Sequence, residues 1–170
     1  MTLFFRLVLL LLTRPFRPRC EPLGPTRKRF RVWPPDLDVL LHVNNGVYLT
    51  MLDVARVDLL LRSGVGARLW RKGFYPVVAA ETIRFRRSLQ LFQAFEVETA
   101  IIGWDEKAFI IQHRFLRREE LVAEAFVRSR FLKRSGGSVS SREILELVGH
   151  SEASPPLPTW IDAWNRENSS

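Results

Sequence analysis

The sequence holds little from which a disulfide or a metal site could be built. Cys20 is the only cysteine, so no intramolecular disulfide can form, which points to a reducing compartment and a cytoplasmic location. There is no Cys-x-x-Cys, and the three histidines, His42, His113 and His150, lie far apart; no metal is expected. No apolar run reaches the roughly 20 residues that a membrane-spanning helix needs, and no internal repeat is present. Acidic residues are short: 18 against 26 basic ones, a net charge of +8. A basic surface attracts polyanions of every kind. No helix–turn–helix, zinc finger or RNA-binding aromatic signature accompanies the charge, so nucleic acid is not an expected partner.

What is present suits a folded domain. The 170 residues are 46% hydrophobic and 26% charged, a globular balance that excludes a largely disordered chain. An apolar run, Leu3-Phe4-Phe5 and residues 7–12, is interrupted by Arg6 and followed by Arg14, Arg17 and Arg19. The order of basic and apolar residues does not suit a signal peptide, and no small-residue cleavage site follows. Two readings stand. The run is a helix packed on the domain or on a partner subunit, the reading its short polar face favours, or it is a peripheral membrane contact with a basic flank. Pro15, Pro18, Pro22 and Pro25 then mark an extended linker. Three segments result: 1–26, apolar segment and linker; 27–135, the main domain; 136–170, short helices and tail.

Within the main domain, residues 27–33 alternate basic and apolar, a period-two strand closed by Pro34-Pro35. Residues 46–61 carry apolar side chains at spacings of three and four and on other faces too, which predicts a long, buried helix. Asn44 and Asn45 are its N-cap candidates, and Gly64 and Gly66 its stop. Strands are predicted over 73–89, 95–103, 108–116 and 121–132, with turns at 104–107 and 117–120, and the four are expected in hairpin succession. Residues 140–148 predict a short helix capped by Ser140 or Ser141. Trp160 and Trp164 share one face of another. The pattern is α+β, an antiparallel sheet with one apolar helix on its concave face.

The segment Asp36-Leu37-Asp38-Val39-Leu40-Leu41-His42-Val43-Asn44-Asn45-Gly46-Val47-Tyr48 resembles the signature of hotdog-fold thioesterases of the 4-hydroxybenzoyl-CoA type. The likeness continues through Asp53-Val54-Ala55-Arg56. The later runs 83–92, 95–99 and 103–107 resemble the branch called thioesterase superfamily member six. The resemblance implies a hotdog fold and hydrolysis of acyl-CoA or acyl-carrier thioesters. Asp38 would be the catalytic acid, and the amides from Val43 to Gly46 would polarise the thioester carbonyl. It also implies a homodimer or higher homo-oligomer with the acyl chain between subunits, coenzyme A phosphates on surface basic residues, and no cofactor beyond the coenzyme A of the substrate.

The chemistry of the residues is compatible with this. One carboxylate suffices to attack a thioester or to deprotonate water, and a helix N-terminus offers unpaired amides to the developing oxyanion. The candidate catalytic residues are Asp38, His42 and Asn45; the candidate substrate-binding residues are Val43, Asn44, Gly46 and Tyr48. Each has a plainer reading: Asp38 as a turn carboxylate, His42 as a structural loop residue, Asn45 as a cap, Tyr48 as packing. Asp36 reads as a turn former, Asp53 as the ion-pair partner of Arg56, and His113 as a structural histidine. Leu41 departs from the family, which often has glycine before the histidine, and it motivates the alternative of a non-catalytic acyl or coenzyme A binder.

Overall fold

The computed structural model describes residues 3–13 and 16–169. In chain order the elements are α1 (Leu3–Thr13), β1 (Thr26–Arg31), a 3-10 turn (Pro34–Asp36), α2 (Asn45–Arg62) and α3 (Val65–Lys72). There follow β2 (Phe74–Phe85), β3 (Ala94–Trp104), β4 (Phe109–Arg117), β5 (Glu120–Lys133), the short β6 (Ser138–Val139), α4 (Ser141–Val148) and α5 (Thr159–Glu167).

The predicted buried helix is α2. Asn44, one of the two expected caps, fills the N-cap position, its side chain accepting from the Gly46 amide. Tyr48, Met51, Leu52, Ala55 and Leu59 recur at helical spacing and are buried, the first four packed with Phe95, Val97, Ile111, Phe115 and Val127 of the sheet. A second face carries the buried Val54 and Asp58. Asp58 accepts from Arg17 and Arg62, so the linker is tied down over this helix. Covered on two sides, α2 needs apolar residues all round.

The sheet is antiparallel, in the order β1-β3-β4-β5-β2, with β6 paired to β5. The expected hairpin succession holds for β3, β4 and β5. It fails for β2, which pairs with β5 rather than with β3, so residues 86–93 carry the chain across to the far side. Pro76 marks β2 as an edge strand, because a proline removes a ladder donor and is tolerated only there. The β4–β5 turn has positive φ at both Arg118 and Glu119, the backbone of a tight type I′ hairpin.

Three further features complete the fold. The basic stretch after α2 is a helix, α3, bounded by Gly64 and Gly73 with φ of 74° and 72°; glycine takes these left-handed positions without a Cβ clash. Arg128 is buried: it donates to Asn165 and Asp105 at 2.9 Å and to Ser169 at 3.2 Å. That network, with Ile161 against Ile110 and Phe126, fastens α5 to the sheet face opposite α2. Finally, α1 packs on the domain through Arg6 and Leu10, while Phe4, Phe5, Leu11 and Leu12 stay exposed.

Candidate active site

The loop between the 3-10 turn and α2 folds back on itself. Leu37 bridges Val43, the Asp38 amide donates to the His42 carbonyl at 2.8 Å and the Leu41 amide to the Asp38 carbonyl at 3.0 Å. Asp36 is fully buried beneath it. Its Oδ2 accepts from Arg6 Nη2 at 2.6 Å and from the Trp33 amide at 2.9 Å. Burial works against the Asp36 carboxylate, but these hydrogen bonds outweigh it and hold its pKa below the usual value. The first acid of the pair is therefore an anchor between α1 and the loop.

Asp38 is half-buried. Its Oδ1 accepts from the Leu40 amide at 2.9 Å and the His42 amide at 3.3 Å, which is the turn-forming role. Its Oδ2 has no hydrogen-bond partner among the described residues, so one oxygen holds the loop while the other is unclaimed. His42 is half-buried and pairs through its backbone with Gln90; its imidazole makes no hydrogen bond among the described residues.

The amides from Val43 to Gly46 are not all available, contrary to expectation. Val43 donates to the Leu89 carbonyl at 3.0 Å and Asn44 to the Asp36 carbonyl at 2.9 Å. Gly46 donates to Asn44 Oδ1 at 2.8 Å. The cause is the folded-back loop: where backbone enters a buried corner its donors must be satisfied, and the nearest acceptors consume them. The Asn45 amide alone of the four has no partner among the described residues. It stands exposed on the first turn of α2, where the helix dipole favours negative charge. Asn45 does not cap; Asn44 does.

Tyr48 is buried, with Phe85 and Phe115 edge-on to its ring at centroid distances of 5.0 and 5.1 Å. Burial pushes its phenol pKa up, opposed by a hydrogen bond to the Leu89 backbone. It shapes the wall beside the helix start. Leu41, where the family often has glycine, has φ of 60°, a left-handed conformation costly for a side-chain-bearing residue. Among the described residues no group of three or more His, Cys, Asp or Glu side chains gathers to hold a metal.

Sequence reasoning missed a cavity of about 310 Å³ between α2 and the sheet, lined by Val57 and Leu60 of α2, Val77 and Val78 of β2, Ile111 and Phe131. Asp53 and Arg56 are in its wall, forming the expected ion pair. The only local signal was that pair, three residues apart on a largely apolar helix.

The model of the thioesterase-like superfamily matches residues 32–165. The chain belongs to that superfamily. Among relatives of this superfamily chain, Protein THEM6 of Xenopus laevis is 34% identical over 139 residues, covering 82% of this chain and 66% of that protein. Protein THEM6 of Drosophila melanogaster is 27% identical over 136 residues, covering 75% and 67%. The match thus spans about two thirds of each relative's length. Among solved structures, the probable thioesterase YbaW of Escherichia coli superposes with a TM-score of 0.68 at 23% identity, over 72% of this chain and 95% of that one. A 4-hydroxybenzoyl-CoA thioesterase variant complexed with 4-hydroxybenzoyl-CoA superposes at 0.65 and 18% identity, over 72% and 97%. These likenesses show the hotdog fold: a curled antiparallel sheet with α2 across its inner face.

Proposed function

We propose that this chain hydrolyses acyl thioesters, of coenzyme A or of an acyl carrier, to a free acid and a thiol. The observation that carries this is the divided carboxylate of Asp38, with Oδ1 tied to the loop and Oδ2 unclaimed, at the entrance to a helix whose Asn45 amide is also unclaimed. In this reading Oδ2 attacks the thioester carbonyl carbon or takes a proton from the attacking water. The carbonyl oxygen gains negative charge and accepts from Asn45 N–H at the positive end of α2. The C–S bond then breaks and the thiolate leaves, taking a proton to become the thiol; where Oδ2 is the nucleophile, water then hydrolyses the acyl-aspartyl anhydride, which frees the acid and restores Asp38. His42 and the exposed backbone around Asn44 and Gly46 border the place where the substrate would lie, and Tyr48 backs it.

Two subunits complete this reading. The outer edge of β2 carries no partner strand among the described residues, and Tyr75, Val78 and Phe85 stand exposed along it. A long apolar edge of this kind is a pairing surface, and a second copy of the chain is the proposed occupant. Arg86, Arg117 and Arg118 have no carboxylate partner among the described residues, so they can take coenzyme A phosphates.

The test is free-thiol release from a panel of acyl-CoAs by wild type and Asp38→Asn. Asparagine keeps the Oδ1 acceptor and hence the loop, but removes the charge. A loss of about a hundredfold or more is expected. A wild type that binds acyl-CoA but releases no thiol would replace hydrolysis by the binder reading, which the leucine at position 41 favours.

A further inference from the structure

Lys28 stands on the inner face of β1, alternating with Arg27 and Arg29 and level with the buried Thr26 and Phe30. It is half-buried and lines a cavity with Arg6 and Leu9 of α1, Val54 of α2, Phe30 and Trp33. Its Nζ makes no hydrogen bond or ion pair among the described residues. The amine is not sealed in: the enclosed nitrogens without a partner include Arg6 Nε but not Lys28 Nζ. The carboxylate that acts on it, Asp58, is already shared by Arg17 and Arg62. Three cations thus crowd one buried carboxylate. Around the cavity, Arg6 is spent on Asp36, while Arg29 and Arg31 add positive charge at the rim. Burial first, then the charges of Arg17 and Arg62, lower the Lys28 pKa, and Asp58 opposes them only in part.

We infer that Lys28 is an acyl-acceptor site, where the free amine takes the acyl group of a thioester and becomes an amide. Desolvation and neighbouring cations are the two environments that turn a lysine into a nucleophile, because both favour the neutral amine, and Lys28 has both. The neutral Nζ attacks the thioester carbonyl carbon. A C–N bond forms, the C–S bond breaks, and the proton lost from nitrogen goes to the departing thiolate. Acylation removes one cation from the crowded cluster, so the product relieves the repulsion that activated the amine. The surroundings suit such a donor. Leu9, Phe30, Trp33 and Val54 offer an apolar wall to the acyl chain, and Arg29 and Arg31 offer positive charge to an anionic thiol moiety. The cavity of about 280 Å³ holds roughly nine heavy atoms at about 30 Å³ each, enough for a hexanoyl chain. That thioesters visit this protein rests on the hydrolysis reading; the reactivity of the amine does not.

The chain has four lysines, so Lys72, Lys107 and Lys133 serve as internal controls. The full chain is incubated with hexanoyl-CoA, and acylation at each lysine is followed by peptide mass spectrometry. Lys28 is expected to lead the exposed Lys72 and Lys107 by about tenfold in rate, a barrier difference of about 1.4 kcal/mol. Its rate should level off below pH 10.5, the ordinary lysine value. Lys28→Arg keeps the charge and should abolish the fast phase of acylation. Arg17→Met removes a cation and leaves Asp58 freer to hold the ammonium form, so Lys28 should lose its lead; circular dichroism checks that this variant folds. A Lys28 rate no greater than that of Lys72 and Lys107, a rate still climbing at pH 10.5, or a lead undiminished in folded Arg17→Met would each overturn the inference. The same ranking is read in Asp38→Asn, where hydrolysis does not deplete the reagent. A chain that turns over no thioester but acylates Lys28 first would sink the hydrolysis reading alone.

Discussion

Leu41 shows how one backbone angle shapes the candidate site. At φ 60° a leucine costs roughly 1–2 kcal/mol relative to a right-handed conformation. Glycine would remove that strain but return about 0.5–1 kcal/mol through its freer unfolded chain. Leu41→Gly is therefore expected to stabilise the protein by up to about 1 kcal/mol. Leu41→Val, whose branched Cβ tolerates positive φ least, should destabilise it by a similar amount. Urea midpoints decide, and a neutral valine variant would show that the loop relaxes at no cost. His113 makes a second prediction at this scale. It is wholly buried, with Nδ1 2.9 Å from Thr99 Oγ1. Burial, aided by the Arg56 charge, holds its pKa well below the ordinary 6.5. The unfolded chain takes up a proton below pH 6.5 that the folded chain refuses. His113 thus costs no stability above that pH, and stability falls by up to about 1.4 kcal/mol per unit as pH drops below it. His113→Gln should flatten the slope between pH 6.5 and 5.5; the lowered carboxylates Asp36 and Asp105 act only nearer their ordinary 3.8. An unchanged slope would assign the acid sensitivity elsewhere.

Among the elements, β2 separates what local pattern carries from what it does not. Its strand character was legible, as were α2 and the β3–β4–β5 succession, because period two and the spacing of three or four are local. Its position at the sheet edge was not, since pairing with β5 joins residues about 50 positions apart, from Phe74↔Lys133 to Phe85↔Ala123. The eight residues of α3 hid in a basic stretch too short for a clear period. At the site, the motif located Asp38 and Asn45. It did not show that the neighbouring amides are spent on Leu89 and Asp36, nor that Arg6 is buried against Asp36, because those partners lie far along the chain. The edge itself predicts an outcome. Val78→Lys places a charge at the centre of the proposed pairing surface, where like charges would face each other across a two-fold axis. Sedimentation should show a dimer for wild type and a weakened or monomeric state for the variant. A monomeric wild type, or a variant dimer of full strength, would move the interface away from β2.

For the whole molecule, the arrangement of apolar and basic surface poses the question of what α1 faces. No helix among the described residues is long and apolar enough to cross a membrane. Yet α1, held down by Arg6 and Leu10, turns Phe4, Phe5, Leu11 and Leu12 outward, and Val39, Leu40 and Leu41 on the loop that carries Asp38 are also exposed, Val39 at 97%. Exposed aromatic and aliphatic groups on a basic protein are the two ingredients of peripheral membrane binding: apolar insertion and attraction to anionic lipid. The Arg6–Asp36 pair would couple such docking to the loop that carries Asp38, since one buried contact joins both. Vesicles containing phosphatidylserine should therefore co-sediment with the protein, more weakly at high salt as screening shortens the attraction. Replacing Phe4, Phe5 and Leu12 together by serine should reduce binding by tenfold or more, because each buried side chain of this size contributes about 1.5–3 kcal/mol at full burial. The substitutions lie on the exposed face, so the melting temperature should hold. If binding survives them, the basic surface alone attracts the vesicles; if wild type does not sediment at all, the outward face of α1 meets protein rather than lipid.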